Sequence, residues 1–161
     1  MARFSRSTHI DAPPERVFAF FTDPARLKDL DHRIQAVTID VEGGQPRTVH
    51  FVILPAPGAA PVPVDARVTA YEAGRSMALE SLPSAKGPSI SLRYTCAASE
   101  ADGTDLAWEV QLALPGSLGR LADHLIGRQL AISANAALER AKQVLESQGG
   151  TAKPNHPLPE I

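Results

Sequence analysis

The chain has 161 residues, with 16 Lys+Arg against 18 Asp+Glu, for a net charge of −2. That is sequence for one domain, long enough to bury a core without covalent staples. Hydrophobic residues at 43% and charged residues at 21% exclude a disordered chain, and the near-neutral balance argues against a dedicated nucleic-acid binder.

A single cysteine, Cys96, excludes an internal disulfide framework and any multi-cysteine metal site. No apolar run approaches the roughly 18 residues of a membrane span, so no integral membrane association is expected. Met1 to Ser7 carries charge with no apolar h-region behind it, so the expectation is a cytoplasmic protein without a secretory signal. No His/Asp/Glu spacing suggests a metal, and no cofactor is expected.

Phe4 to Ile10 alternates loosely, with Phe4, Thr8 and Ile10 on one face, and predicts a first strand. Asp11-Ala12-Pro13-Pro14 breaks it. Asp11 is placed to cap the next turn, and proline is tolerated in a helix's first turn because its missing N–H has no partner there. Val17, Phe18, Phe20 and Phe21 follow at helical spacing. Thr22-Asp23-Pro24 ends that helix, and Asp23 caps a second short one through about Leu30.

From Gln35 the period becomes two, with Val37, Ile39 and Val41 alternating with polar residues. Glu42-Gly43-Gly44-Gln45-Pro46 turns the chain, and Thr48 to Leu54 is the next strand. The proline-rich stretch Pro55 to Pro61 reads as an exposed loop. Beyond it Val62, Val64, Ala66, Val68 and Ala70 alternate with Asp65, Arg67 and Tyr71. Ser76 to Leu82, Ser89 to Ala98 and Thr104 to Leu114 complete the strands, the last pair joined by the hairpin signal Glu100-Ala101-Asp102-Gly103. Short successive strands with tight turns imply an antiparallel meander.

From Leu118 to about Ser147 the sequence predicts one long helix, ended by Gln148-Gly149-Gly150. His124, Arg128, Asn135, Glu139, Lys142 and Glu146 share its polar stripe. Leu118, Leu121, Leu125, Ile132 and Ala136 lie on the adjoining face, with Leu130, Ala134, Leu138, Ala141 and Leu145 further round. So wide an apolar surface belongs to a helix lying across a concave sheet. Residues 1–147 are thus expected to form the domain, and 148–161 a flexible, proline-rich tail.

The order of strand, two short helices, further antiparallel strands and a long closing helix resembles the helix-grip fold of the START-like, or SRPBCC, superfamily. The resemblance rests on Ser7 to Phe18 as opening strand, Ala-Pro break and Val-aromatic helix start. It extends to Phe21-Thr22-Asp23-Pro24 as helix end, Val64 to Thr69 as the mid-sheet strand with an embedded arginine, and Leu114-Pro115 to Leu145 as the closing helix. It implies an α+β fold: a curved antiparallel sheet of six or seven strands around the long helix. It also implies an internal cavity that takes a hydrophobic small molecule, lipid- or polyketide-like, for sequestration or transfer. Two other activities are compatible with the fold: a polyketide cyclase/dehydratase-type enzyme, and a co-chaperone-like interaction module. Monomer and homodimer both remain open.

The candidate ligand-binding residues are Phe21, His50, Arg67, Tyr94, Trp108, Leu118, Leu121, Leu125 and Ile132. Arg67 is also the catalytic candidate, because a permanently charged fork of donors can polarise a ketone and stabilise an enolate. The local pattern opposes this, since Val62, Val64, Ala66 and Val68 as the apolar face would send Arg67 and Asp65 outward. His50 would reach a ligand only if it faces inward. His32 is read as part of a solvated loop, and His9, His124 and His156 have no evident partners. Aromatic residues are only 5% of the chain, which suggests few stacking partners for a flat ligand.

Overall fold

The computed structural model describes residues 2–54, 58–83, 89–113 and 119–151, with side chains 119–126 and 149–151 outside that description. The elements run β1 (Ala2–Ile10), α1 (Pro14–Thr22), α2 (Pro24–Leu30), β2 (Ile34–Glu42), β3 (Gln45–Ile53), β4 (Val62–Glu72), β5 (Ser76–Ser81), β6 (Ser89–Ala98), β7 (Thr104–Ala113) and α3 (Gly119–Thr151). The seven strands form one antiparallel sheet in the order β1-β7-β6-β5-β4-β3-β2. The meander from β2 to β7 is therefore intact, and β1 closes on its last strand.

Two turns require glycine. Gly43 and Gly44 both have positive φ (61° and 78°), as a two-residue β2–β3 hairpin demands. Gly103 has φ 81°, and a Cβ there would lie 2.5 Å from the Ile10 carbonyl oxygen. Only glycine lets the β6–β7 turn sit against the end of β1.

Register shifts interrupt β2–β3 between Ile34 and Ala36 and between Asp40 and Val41, and β4–β5 between Val68 and Ala70. Bulges of this kind bend and twist strands, which helps the sheet to curve. The shift after Val68 also changes facing: Tyr71, not Ala70, packs inward, with its ring 5.9 Å from Phe18.

In α1, Pro13 is the N-cap and Pro14 opens the helix without any side-chain cap. The expected Asp11 cap is absent because the Asp11 carboxylate meets His9 Nε2 at 3.0 Å instead. Asp23 does cap α2, accepting from the Ala25 amide at 3.0 Å. The α3 helix continues to Thr151, past the expected stop, since glycines lower helix propensity without removing the amide donors. Residues 152–161, the core of the expected tail, lie outside the described set.

The core is a single cluster built from α1, the inner faces of the strands and one face of α3. Ile10, Val17, Phe21, Leu106, Leu138 and Leu145 are its driest members. On α3 the buried residues are Ala134, Ala137, Leu138, Ala141 and Leu145, the set furthest round from the polar stripe. Three polar ties fix the helices. Arg6 on β1 donates to the Asn135 and Glu139 side chains of α3. Arg16 on α1 donates to the Leu145 carbonyl at 2.6 Å, and Arg140 on α3 to the Leu30 carbonyl at 3.0 Å. The Thr104 hydroxyl, fully buried, donates to the Ala12 carbonyl at 2.6 Å and joins β7 to the α1 entry.

Candidate functional site: the inner face of the sheet

Strand alternation directs one set of side chains from each strand toward α1 and α3. On β6 and β7 these include Leu92, Tyr94, Cys96, Leu106, Trp108 and Val110. Tyr94 and Trp108 are direct cross-strand partners, and their rings stack at 5.6 Å with 29° between planes. Phe21 reaches down from α1 to both, at 5.3 Å and 6.0 Å. Phe4 meets Trp108 edge-on at 5.8 Å. Few in the sequence, the aromatics are gathered in space, where they pack on one another.

Toward the β2 side the inner face changes. Val37, Ile39 and Phe51, with Val68 of β4 and Leu92 of β6, pack against the core yet remain half-buried, interspersed with buried Val49, Ala66 and Leu79. Leu130 and Ala131 of α3 are half-buried likewise. This wall is apolar and only partly covered.

Two of its titratable groups are held neutral. Burial raises the Tyr94 hydroxyl well above its ordinary pKa, and the Cys96 thiol is pushed up to about 11 by the same cause. A thiol so shifted is not a nucleophile at neutral pH. Arg6 is the inner-face cation of β1, and it is engaged by Asn135 and Glu139.

Of the predicted site residues, the structure brings Phe21, Tyr94 and Trp108 together on this face. It separates three others from it. Arg67 is exposed on the outer face, paired across β4–β5 with Glu80. The bulge in β4 comes after Val68, too late to turn Arg67 inward. His50 is also outward, clamped between Asp40 at Nε2 and Asp65 at Nδ1, both 2.7 Å. Asp65 thus pairs with His50, and the ring pins β2, β3 and β4 together. The hydrogen bond to Asp40, then that to Asp65, raises the His50 pKa. Ile132 is 56% exposed, because the buried side of α3 is centred on Leu138 and Ala141. The Leu118 residue and the side chains of Leu121 and Leu125 fall outside the described set.

Sequence reasoning missed the His9 partners, Asp105 and Asp11, which lie at 3.2 Å and 3.0 Å across the β1–β7 edge. It also missed Arg6. The signal was there: a charged residue between Phe4 and Thr8 on the inner face of β1 must find a partner. His32 is exposed as expected; beside it, burial would raise the Asp31 carboxyl, but Arg33 hydrogen bonds and charge hold it below its usual range.

A curved antiparallel sheet gripping one long helix, with paired short helices after the first strand, defines a START-like helix-grip protein. Solved structures share this architecture. The di-domain ARO/CYC StfQ from the steffimycin biosynthetic pathway aligns with a TM-score of 0.72 and 10% identity, covering 92% of this chain and 52% of that one. A START superfamily protein from Mycobacterium smegmatis aligns at 0.69 and 15% identity, over 89% of this chain and 99% of that one. DR_A0006 from Deinococcus radiodurans aligns at 0.68 and 18%, over 91% and 99%. At these identities the likeness is one of fold. The family model described as polyketide cyclase/dehydrase and lipid transport matches residues 1–146, and the chain belongs to that family. No curated protein matches the sequence.

Proposed function

We propose that the protein binds a hydrophobic small molecule, lipid- or polyketide-like, against the inner face of the sheet, for sequestration or transfer. The observation that carries this reading is the set of half-buried apolar side chains Val37, Ile39, Phe51, Val68 and Leu92 on the inner face, beside the aromatic cluster. Apolar surface that faces inward but stays partly uncovered gains roughly 25 cal/mol per Å² when a ligand covers it. The family description, which includes lipid transport, supports the same reading.

The cyclase/dehydratase reading draws on that description and on the likeness to StfQ. It needs an inner-face acid or base poised near neutral pH. Two inner-face groups, Tyr94 and Cys96, are shifted upward by burial, which favours binding over proton transfer. An interaction module would display a contiguous apolar patch. The described exposed large hydrophobics are Val41, Leu82 and Ile132, on separate parts of the fold.

The test is native mass spectrometry of freshly purified protein with organic extraction, followed by titration with 8-anilinonaphthalene-1-sulfonate. A co-purifying apolar species, or saturable one-to-one dye binding by the folded chain, is expected. A bare protein that binds no dye would overturn the reading.

A further inference from the structure

Two histidines are each held between two carboxylates. His9 joins Asp105 of β7 to Asp11, just beyond the end of β1, at 3.2 Å and 3.0 Å. His50 joins Asp40 of β2 to Asp65 of β4, both at 2.7 Å. An ionised carboxylate only accepts, so a ring with both nitrogens facing carboxylates must donate from both, and only the imidazolium can do so. A neutral ring turns a lone pair toward one carboxylate, and that bond is lost. The triplet then carries two negative charges in place of one.

The two clamps sit on unlike edges of the sheet. β1 pairs with β7 without interruption from Ala2 to Ile10, and Arg6 ties it to α3. β2 is the other edge, with β3 as its one strand neighbour. The β2–β3 ladder is regular only from Ala36 to Asp40, because Gln35 is an extra residue at one end and Arg47 of β3 an extra one at the other. That segment carries half-buried Val37 and Ile39 on its inner side, with Ile39 directly opposite buried Val49. On its outer side Asp40 reaches His50. Through the ring, β2 is tied to β4, a strand it does not pair with, and loss of either hydrogen bond unties it. The charged residues on the strands around the ring are Asp40 and Glu42 of β2, Arg47 of β3, and Asp65 and Arg67 of β4, with Glu80 of β5 opposite Arg67. The core helices pack on the other face of the sheet.

We propose that the Asp40–His50–Asp65 triplet is a proton-controlled latch on the edge strand β2. Protonated, the ring holds the Ala36–Asp40 segment to β4. On proton loss the segment keeps only its short ladder to β3, opens more often, and admits small molecules to Val37, Ile39 and Val49. The consequence for uptake rests on the hydrophobic-ligand reading above; the latch itself does not.

The test is amide hydrogen exchange of the full chain by NMR from about pH 6 to about pH 9, with rates corrected for the intrinsic effect of pH. Protection from Ala36 to Asp40 is expected to fall about threefold as pH climbs through the His50 titration, the scale of one exposed ion pair, while protection in β5 and β6 holds. Asp40→Asn supplies an amide N–H that the neutral ring can accept, so its β2 should stay protected across the range. His50→Gln has no proton to lose, so its β2 should not respond to pH. His9→Gln should keep the wild-type β2 response. Uptake of the neutral dye N-phenyl-1-naphthylamine should quicken over the same pH range in the wild type and not in Asp40→Asn. Constant β2 protection through the His50 titration, an equal fall across the whole sheet, or a fall that persists in His50→Gln would overturn the latch. An exchange response with no change in uptake rate would rule out β2 as the way in. A chain that takes up no dye at any pH would count against the hydrophobic-ligand reading, and the exchange rates would still decide the latch.

Discussion

The two sides of the inner face are built from the same kinds of residues and end in different states. Near α1, the strands β1, β5, β6 and β7 present Ile10, Leu79, Cys96 and Leu106, all buried to within a few per cent. Near β2 and β3, Val37, Ile39 and Phe51 are equally apolar and remain half-buried around a fully buried Val49. The difference lies in what covers them. Phe18 and Phe21 plug the first side, and the Arg16–Leu145 and Thr104–Ala12 hydrogen bonds hold that plug in place. The second side has α2 at its margin and, on its outer face, the Asp40–His50–Asp65 clamp. Stability and openness are thus assigned to different ends of one sheet, as expected when a binding surface is drawn from the less protected part of a fold.

The largest effect that could break this comparison is in the plug. Phe21→Ala should cost about 3–5 kcal/mol in urea unfolding, and Phe51→Ala distinctly less, because a half-buried ring leaves a smaller dry cavity. Equal losses would mean that the two sides are not differently packed. Next comes Thr104→Val, which keeps the shape but leaves the Ala12 carbonyl unpaired in a dry site. A loss of about 1–3 kcal/mol is expected, and a neutral result would remove the Thr104 tie from the account.

Smaller effects come from the histidine clamps. Hydrogen bonds to Asp40 and then Asp65 raise the His50 pKa, and those to Asp105 and then Asp11 raise that of His9. A raised folded-state pKa means that protonation favours the fold. The contribution is complete below the unfolded value of about 6.5 and fades as pH climbs through the folded value. NMR titration should find both rings titrating above 6.5. Asp40→Asn should lower His50 and leave His9 alone; equal movement of both would contradict the local cause. The slightest perturbation is a probe of opening. Cys96, buried with its thiol pushed up to about 11, should react with thiol reagents at pH 8 only at the rate of unfolding. Rapid labelling of the folded chain would show that the sealed side opens.

Element order was legible in the sequence because each element carries a local cause. Pro13-Pro14 marks the start of α1 and Asp23-Pro24 that of α2, period-two runs mark β2 to β7, and Gly43-Gly44 and Asp102-Gly103 mark the tight turns. The outward facing of Arg67 was equally local, since Val64 and Ala66 flank it on the buried side. Site composition was less legible. Phe4, Phe21, Tyr94 and Trp108 are separated by up to about a hundred positions, and only sheet register brings them into one stack. His9 looked unpartnered because its carboxylates arrive from a neighbouring strand and across a turn.

The sequence by itself determined the periods, the breaks and hence the helix-grip order, because these depend on backbone preference and on contacts a few residues apart. Tertiary structure alone decided which apolar face of α3 is buried, which histidines are clamped, and that the Trp108 donor finds no partner among the described residues. Those outcomes depend on residues far apart in the chain meeting at fixed register, and burial, partnering and the cost of a missing partner are properties of that meeting.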